Sequence, residues 1–140
     1  MKKIVVGSLI VVTSLLAEHG KSDDPGMKLL QKKDRKGALE IFKKECNSGN
    51  AWACGNAGIM FYRGMGVKEN PAEAKKYYNK GCELHDIGSC ANLGEIAYKE
   101  QNMPAAKGYF QKVCGMKKYA KNKKDLKDIL KVCKRAEMIK

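Results

Sequence analysis

Apolar side chains recur at helical spacing along the chain after residue 25, and no run there alternates between apolar and polar residues as a strand would. This spacing predicts seven helices: Gly26–Lys33, Lys36–Asn47, Asn50–Arg63, Asn70–Leu84, Ile87–Gln101, Pro104–Gly115 and Asp125–Met138. In the last of them, the side chains expected to point inward are Leu126, Ile129, Leu130 and Cys133. The pattern therefore predicts an all-α protein.

The central part of the chain repeats itself with a period of 36 residues. A shift of this length places Cys46 on Cys82, Cys54 on Cys90, Asn56 on Asn92, Gly58 on Gly94 and Tyr62 on Tyr98. Such a period is typical of a solenoid, in which each unit buries its apolar face against its neighbours. We therefore expect an αα-hairpin repeat solenoid over residues 26–140, with about two and a half repeats and a basic capping helix.

Glycine recurs at one position inside two of the predicted helices, at Gly58 and Gly94. Glycine within a helix costs about 1 kcal/mol relative to alanine. Its recurrence indicates that a neighbouring helix packs closely against this point.

All six cysteines follow residue 45, and an even number in an oxidising compartment indicates three disulfides. Cys46 and Cys54 would lie about 12 Å apart on one continuous helix, whereas a disulfide needs Cα atoms within about 7 Å. The chain must therefore turn between them, and the same argument applies to Cys82 and Cys90. The predicted pairs are Cys46–Cys54, Cys82–Cys90 and Cys114–Cys133, the last of which closes an enlarged basic loop at Lys117–Lys127.

A zinc site is the alternative use of these cysteines. Structural zinc sites commonly use C-x-x-C pairs or clustered histidines. The chain has no C-x-x-C pair, and its two histidines, His19 and His85, are far apart in sequence. We expect disulfides, no metal and no cofactor.

The first 17 residues have the features of a signal peptide, since Lys2 and Lys3 precede an apolar run from Ile4 to Val12. The run is too short to span a bilayer as a helix. We expect cleavage after Ala17, a flexible lead-in at residues 18–25, no stable membrane insertion and a secreted or periplasmic protein.

The formal net charge is +13, and residues 112–140 contain eleven Lys or Arg residues against three acidic ones. A basic tail of this kind can bind anionic surfaces, but no motif for the recognition of nucleic-acid bases accompanies it. A solvated face is the expected role of this charge, and nucleic acid is not an expected partner.

The repeat carries a family resemblance. Ala57-Gly58, Tyr62, Gly64-x-Gly66-Val67 and the later Pro71, Ala74, Tyr77-Tyr78 and Cys82 resemble the Sel1-like repeat, a relative of the tetratricopeptide repeat. With its C-x7-C pairs, the chain is similar to the Helicobacter cysteine-rich proteins over about residues 26–115. The resemblance implies a right-handed superhelix with one disulfide per repeat, penicillin binding and slow β-lactamase activity.

The residues themselves offer no support for catalysis. A serine β-lactamase needs Ser-x-x-Lys, and none of Ser22, Ser48 or Ser89 has a lysine at that spacing. A zinc enzyme needs several histidine or acidic ligands. His85-Asp86 lies in a predicted turn, where both are expected to be turn residues in water. Enzymatic activity therefore stays uncertain.

The first helix of each pair should line a concave surface. On it we predict a ligand groove formed by Trp52, Asn56, Arg63, Asn92 and Lys99. Helix capping or packing is the alternative role for the asparagines and the tryptophan, and solvation is the alternative for the cations.

These patterns predict a secreted binding module whose groove takes an extended peptide, a cell-wall fragment or a penicillin-like molecule. The alternative is a slow β-lactamase, which the family resemblance implies. A host or envelope protein is a further expected partner, and the chain is expected to be a monomer.

Overall fold

The computed structural model describes residues 23–140, so the predicted signal peptide and most of the lead-in lie outside the described residues. Seven α-helices and no strand are found between residues 23 and 140, which confirms the predicted all-α class. The helices are α1 Pro25–Gln31, α2 Arg35–Asn47, α3 Ala51–Arg63, α4 Pro71–Glu83, α5 Ile87–Lys99, α6 Met103–Cys114 and α7 Lys123–Met138, with a 3-10 turn at Lys117–Tyr119 before α7.

Each helix begins after an aspartate or asparagine whose side chain accepts a hydrogen bond from the N–H three residues on. These N-caps are Asp24, Asp34, Asn50, Asn70, Asp86, Asn102 and Asn122. Such a cap satisfies one of the four N–H groups that a helix start leaves open, and its loss costs about 1 kcal/mol. Local sequence therefore sets where the helices start.

Consecutive helices pack against one another along the chain, and α3 also contacts α5 directly. In each hairpin, an aromatic ring of the second helix lies over a glycine of the first. A Cβ at Gly26 would lie 2.5 Å from the Phe42 ring, and one at Gly58 would lie 2.6 Å from the Tyr78 ring. Gly94 meets the Phe110 ring in the same way. The predicted close packing at Gly58 and Gly94 is therefore confirmed.

The structure contains the three predicted disulfides. Cys46–Cys54 and Cys82–Cys90 each join the end of one helix to the start of the next, with Cα atoms 4.5 and 4.7 Å apart. Cys114–Cys133 joins the end of α6 to the middle of α7, with a Cα separation of 5.3 Å. The first two bridges are buried in the core, and the third is only partly covered.

The inward face of α7 differs from the prediction. Leu126 and Leu130 are exposed at 40% and 50%, while Ile129 is fully buried. Asp125 is also buried, although it is charged, because its carboxylate accepts a hydrogen bond from the Lys121 N–H at 2.8 Å. The prediction that Leu126 and Leu130 point inward was wrong, since backbone hydrogen bonding at the helix start turns Asp125 inward instead.

The connection before α7 is also more ordered than the predicted loop at Lys117–Lys127. It holds the 3-10 turn, and α7 starts at Lys123. No helix within residues 23–140 has both the length and the apolar character needed to cross a bilayer.

Candidate functional site

A cavity of about 280 Å³ lies between α3, α5 and the segment that leads into α7. We call it the α3–α5 cavity. Its floor comes from the facing surfaces of α3 and α5, and one side comes from the turn at Leu84–Asp86. The opposite wall comes from residues 119–132, with Tyr119, Lys121, Asp125, Asp128 and Val132.

The two repeats differ at one position of the cavity lining. Trp52 on α3 and Gly88 on α5 are separated by the repeat period, and both line the cavity. Where α3 carries a tryptophan side chain, α5 carries none. Gly55 and Ala91 line the same space and also have little side-chain volume.

Two N–H donors at this cavity are buried without a hydrogen-bond partner. These are Trp52 Nε1 and Asn56 Nδ2, and neither meets an acceptor within the described part of the chain. Asn56 is only 2% exposed. Four residues separate Trp52 from Asn56, so both side chains lie on one face of α3. A buried N–H without a partner costs about 1–3 kcal/mol, so these two donors lower the stability of the fold beside the cavity.

Carboxylates dominate the charge at the cavity. Asp86, Asp125 and Asp128 line it, and Lys121 is the lysine among its lining residues. Asp86 caps α5 by accepting from the Ser89 N–H at 2.8 Å and from the Ser89 hydroxyl at 2.5 Å. The Asp128 side chain is only 13% exposed, and it pairs with Lys131 at 3.5 Å. The cavity lining thus contains three aspartates and one lysine, and the Asp128 carboxylate is paired with Lys131 beside it.

The wall formed by α7 is held in place by a partly buried ion pair. Arg135 on α7 hydrogen-bonds Glu95 on α5, and the side chains of both are less than one-fifth exposed. The Arg135 guanidinium also lies 4.7 Å from the Tyr98 ring centre and 5.3 Å from that of Phe110. Cys114–Cys133 closes the chain on either side of the wall.

One edge of the cavity is formed by His85 and Tyr119. The two rings stack with centres 4.5 Å apart and an angle of 10° between their planes. His85 has a positive φ of 66° in the turn before α5, and Asp86 is the N-cap of that helix. His85-Asp86 thus shapes a turn, in agreement with the predicted turn role.

The structure brings together three of the five predicted groove residues. Trp52, Asn56 and Asn92 line the α3–α5 cavity. Lys99 lies elsewhere, where its Nζ donates to the Tyr62 hydroxyl at 3.2 Å. Arg63 ends α3 and does not line the cavity.

Sequence reasoning missed the residues of the α7 wall. Asp125, Asp128 and Val132 follow one another at spacings of three and four residues, which places them on one helix face. Cys114 and Cys133 flank this stretch, so their spacing was the available signal that it folds back onto the repeats.

Within residues 23–140, no group of three or more histidine, cysteine, aspartate or glutamate side chains is placed to hold a metal ion. The three carboxylates of the cavity are therefore not arranged as a metal centre.

Curated proteins match part of the chain. It is 39% identical over 54 residues to the cytochrome c oxidase assembly factor 7 homolog of Drosophila melanogaster, covering 39% of this chain and 20% of that protein. It is 40% identical over 53 residues to cytochrome c oxidase assembly factor 7 of Xenopus tropicalis, covering 38% of this chain and 23% of the relative. The match to assembly factor 7A of Xenopus laevis is 38% over 55 residues, covering 39% of this chain and 24% of the relative.

The chain thus spans between a fifth and a quarter of the length of these relatives. No family model matches the chain, and no solved structure does.

The comparisons overturn the family resemblance. The matching relatives are cytochrome c oxidase assembly factors and not Helicobacter cysteine-rich proteins. The residues that suggested the resemblance, such as Gly58, Ala74 and Tyr78, are packing residues. Packing positions describe how helices fit together and do not identify a ligand.

The predicted function, partners and location are corrected by the same finding. A secreted module for peptides, cell-wall fragments or β-lactams, and the alternative of a slow β-lactamase, conflict with relatives that are oxidase assembly factors. So do the predicted host or envelope partner and the secreted or periplasmic location. The physical reason is that paired cysteines show an environment that permits disulfides, and several compartments do so.

Proposed function

We propose that this chain is an assembly factor for cytochrome c oxidase, which holds an unassembled subunit of the oxidase until it joins its partners. The observation that carries this proposal is the 38–40% identity to three assembly factors over 53–55 residues. The proposed place of action is beside the membrane in which the oxidase is assembled.

The α3–α5 cavity is the proposed contact site for the subunit. It combines an apolar lining with three carboxylates, those of Asp86, Asp125 and Asp128. Holding and releasing a subunit requires no covalent step, so a recognition site is sufficient for the proposed role. Trp52, Asn56 and Asn92 are the proposed contact residues, while Arg63 and Lys99 lie outside the cavity.

We further propose that the helices form an αα-hairpin solenoid over residues 26–140, with α7 as its basic cap. The repeat period, the packing of consecutive helices and the recurring glycine–aromatic contact support this architecture. Solenoids present extended surfaces to other proteins, which suits a client-holding role. The signal peptide at residues 1–17 stays a prediction.

The proposal is tested in cells that lack the chain. We expect membranes from these cells to oxidise cytochrome c more slowly and to contain less assembled oxidase on native gels, with recovery when the gene is restored. A photo-crosslinking residue at Leu84, which is 39% exposed at the cavity edge, should capture an oxidase subunit.

The matched control carries the same crosslinker at Gly108. This residue is exposed on α6 and lies outside the cavity. Normal oxidase levels in the deletion strain, together with equal capture from Leu84 and Gly108, would disprove the proposed function.

A further inference from the structure

We infer that α7 docks the protein on an anionic lipid surface, with two exposed leucines entering the lipid interface and the lysines around them contacting lipid phosphates. The residues that do this are Lys123, Leu126, Lys127, Leu130 and Lys134, which we call the outer face of α7. None of the five lines the α3–α5 cavity. The inference therefore goes beyond the proposed function, because it concerns a second surface and a different partner.

Exposed apolar side chains concentrate on α7. Leu126, Leu130 and Met138 are 40%, 50% and 63% exposed, and they are three of the four large apolar side chains exposed between residues 23 and 140. The fourth, Leu84, lies at the cavity edge. A single exposed leucine is ordinary on a protein surface, whereas a cluster of exposed apolar residues marks a contact with a protein or a membrane.

The packing of α7 fixes the two leucines at the surface. Leu126 and Leu130 are four residues apart, so they are neighbours on one side of the helix. Each directly follows a buried residue, Asp125 or Ile129, and one step along a helix turns the side chain by about 100°. Turning the leucines inward would turn Asp125 and Ile129 out of their buried positions. The leucines are therefore available to a partner on the solvent side.

Three exposed lysines surround the leucines. Lys123 and Lys127 precede Leu126 and Leu130 by three residues, and Lys134 follows Leu130 by four. Each lysine is thus next to a leucine on the helix surface. A lysine can lay its aliphatic stem along apolar surface while its ammonium group reaches a charged group. Leucines and lysines at helical spacing are typical of helices that lie in the interface of an anionic membrane.

The acidic residues of α7 leave this charge largely in place. Asp125 and Asp128 line the cavity on the other side of the helix, and Asp128 is already paired with Lys131. Glu137 is exposed near the carboxyl end of the helix. The lysines of the outer face therefore present a net positive charge to the partner.

This charge, together with the leucines, selects an anionic lipid surface among the possible partners. A second copy of the chain would bring the same lysines against one another, and like charges across an interface are repulsive. Nucleic acid would engage the lysines through its phosphates but would leave the leucines exposed to water. Anionic lipid offers phosphates to the lysines and an apolar layer to the leucines. The charge of this region, for which the sequence alone predicts solvation, thus gains a partner.

The test measures how much of the oxidised full chain sediments with vesicles made of equal parts of phosphatidylcholine and phosphatidylglycerol. We expect saturable binding that weakens as salt is added, because salt screens the lysines. Leu126→Gln combined with Leu130→Gln should weaken binding at least about tenfold, since the leucines no longer leave water. Lys127→Gln combined with Lys134→Gln should also weaken it about tenfold.

The matched control removes the same charge elsewhere. Lys36 and Lys44 are exposed on α2, which packs against α1 and α3. Lys36→Gln combined with Lys44→Gln should change the affinity by less than about twofold, because charges far from the lipid are screened. All substituted positions are exposed, so the Tm of each variant should stay close to that of the wild type. A loss of binding would then not result from unfolding.

A second readout reports α7 directly and is independent of the residues before 23. The full chain is treated with an amine-acetylating reagent, with and without the anionic vesicles, and each lysine is followed by mass spectrometry. The vesicles should slow the acetylation of Lys127 and Lys134 at least about threefold, because their ammonium groups contact lipid. Lys36 and Lys44 should react at the same rate in both samples.

Equal affinity for vesicles of phosphatidylcholine alone, unchanged binding by the leucine variant, or equal losses in the two lysine variants would overturn the inference. Absence of binding to the anionic vesicles, or equal acetylation of Lys127 with and without them, would do the same. A dimer in lipid-free buffer that is lost with Leu126→Gln and Leu130→Gln would assign the outer face to a second copy instead. The vesicles contain no oxidase, so none of these outcomes depends on the proposed assembly function.

Discussion

Replacing Gly58 by alanine tests the glycine–aromatic contact between α3 and α4, which has equivalents at Gly26 and Gly94. The new Cβ would lie 2.6 Å from the Tyr78 ring, whereas carbon atoms in ordinary contact are about 3.5–4.0 Å apart. The ring cannot move away easily, because Tyr78 is 1% exposed and packed in the core. The helices α3 and α4 would therefore have to separate by roughly 1 Å at this point.

Two opposing effects decide the sign of the change in stability. Alanine favours the helical backbone over glycine by about 1 kcal/mol, while overpacking a core costs typically about 1–3 kcal/mol. The backbone offers little relief at this contact, so we expect the overpacking cost to be near the top of its range. The expected net loss is about 1–2 kcal/mol, or about 4–8 °C in Tm for a domain of this size.

Gly108→Ala is the matched control. Gly108 lies inside α6, and a Cβ there would meet nothing within 4 Å. The helix preference then acts alone and should raise stability by about 1 kcal/mol. Urea unfolding of the oxidised protein, followed by circular dichroism at 222 nm, measures both variants on the same scale.

A gain for Gly58→Ala similar to that for Gly108→Ala would refute the packing argument. A third variant makes the test independent of helix preference. In a Tyr78→Leu background the ring is absent, so Gly58→Ala should cost at least about 1 kcal/mol less than in the wild type.

Three further predictions concern stability. Burial raises the pKa of the Tyr78 phenol. The unfolded chain therefore loses this proton first as pH rises, and the free energy of unfolding should fall above pH about 10 by up to about 1.4 kcal/mol per pH unit. Tyr78→Phe should flatten this decline in urea unfolding at several pH values, and an equal slope in both proteins would contradict the expectation. The double change Cys114→Ser and Cys133→Ser should lower the free energy of unfolding by about 3 kcal/mol, because their bridge closes a loop of 19 residues. Calorimetry of the oxidised wild type and of this variant measures the change, and an unchanged Tm would contradict the prediction. Arg135→Met should lower the free energy of unfolding by about 2 kcal/mol, since it leaves Glu95 without this partner at a mostly buried position. If adding Glu95→Gln to this variant restores no stability in urea unfolding, the lost ion pair is not the cause.

The helix boundaries could be predicted closely because local residues determine them. The predicted ends of α2 at Asn47 and α3 at Arg63 agree with the structure. The asparagine and aspartate caps act within a few residues, so their effect can be recognised from the sequence alone. The two disulfides with a spacing of eight could be derived for the same reason, since a short loop leaves few arrangements.

The cavity could be predicted only on one side. Asn56 and Asn92 follow from the repeat, because equivalent positions on equivalent helices face the same way. The α7 wall has no equivalent in the repeat, so periodicity carries no information about it. The orientation of this wall depends on Asp125. Hydropathy predicts an exposed position for this charged residue, but it is buried and accepts a hydrogen bond from the Lys121 N–H.

Packing residues of the helix pairs indicate the fold of this chain and not its function. Gly58 and Tyr78 serve the packing of α3 against α4, and a glycine facing an aromatic ring recurs in the pairs Gly26–Phe42 and Gly94–Phe110. A residue of the cavity lining can differ between the repeats, since Gly88 stands one period after Trp52. A family assignment that depends on packing residues describes the fold more reliably than the function.

The position of the α7 wall in the chain has a consequence for the order of folding. The helix pairs that form the floor of the α3–α5 cavity contact their sequence neighbours, and such local contacts form quickly. The wall at residues 119–132 must instead return to Trp52 and Asn56 across more than half of the described chain. We therefore expect the helix pairs to form first and the cavity to be completed last, so that a partly synthesised or partly folded chain would lack the α7 wall of the cavity.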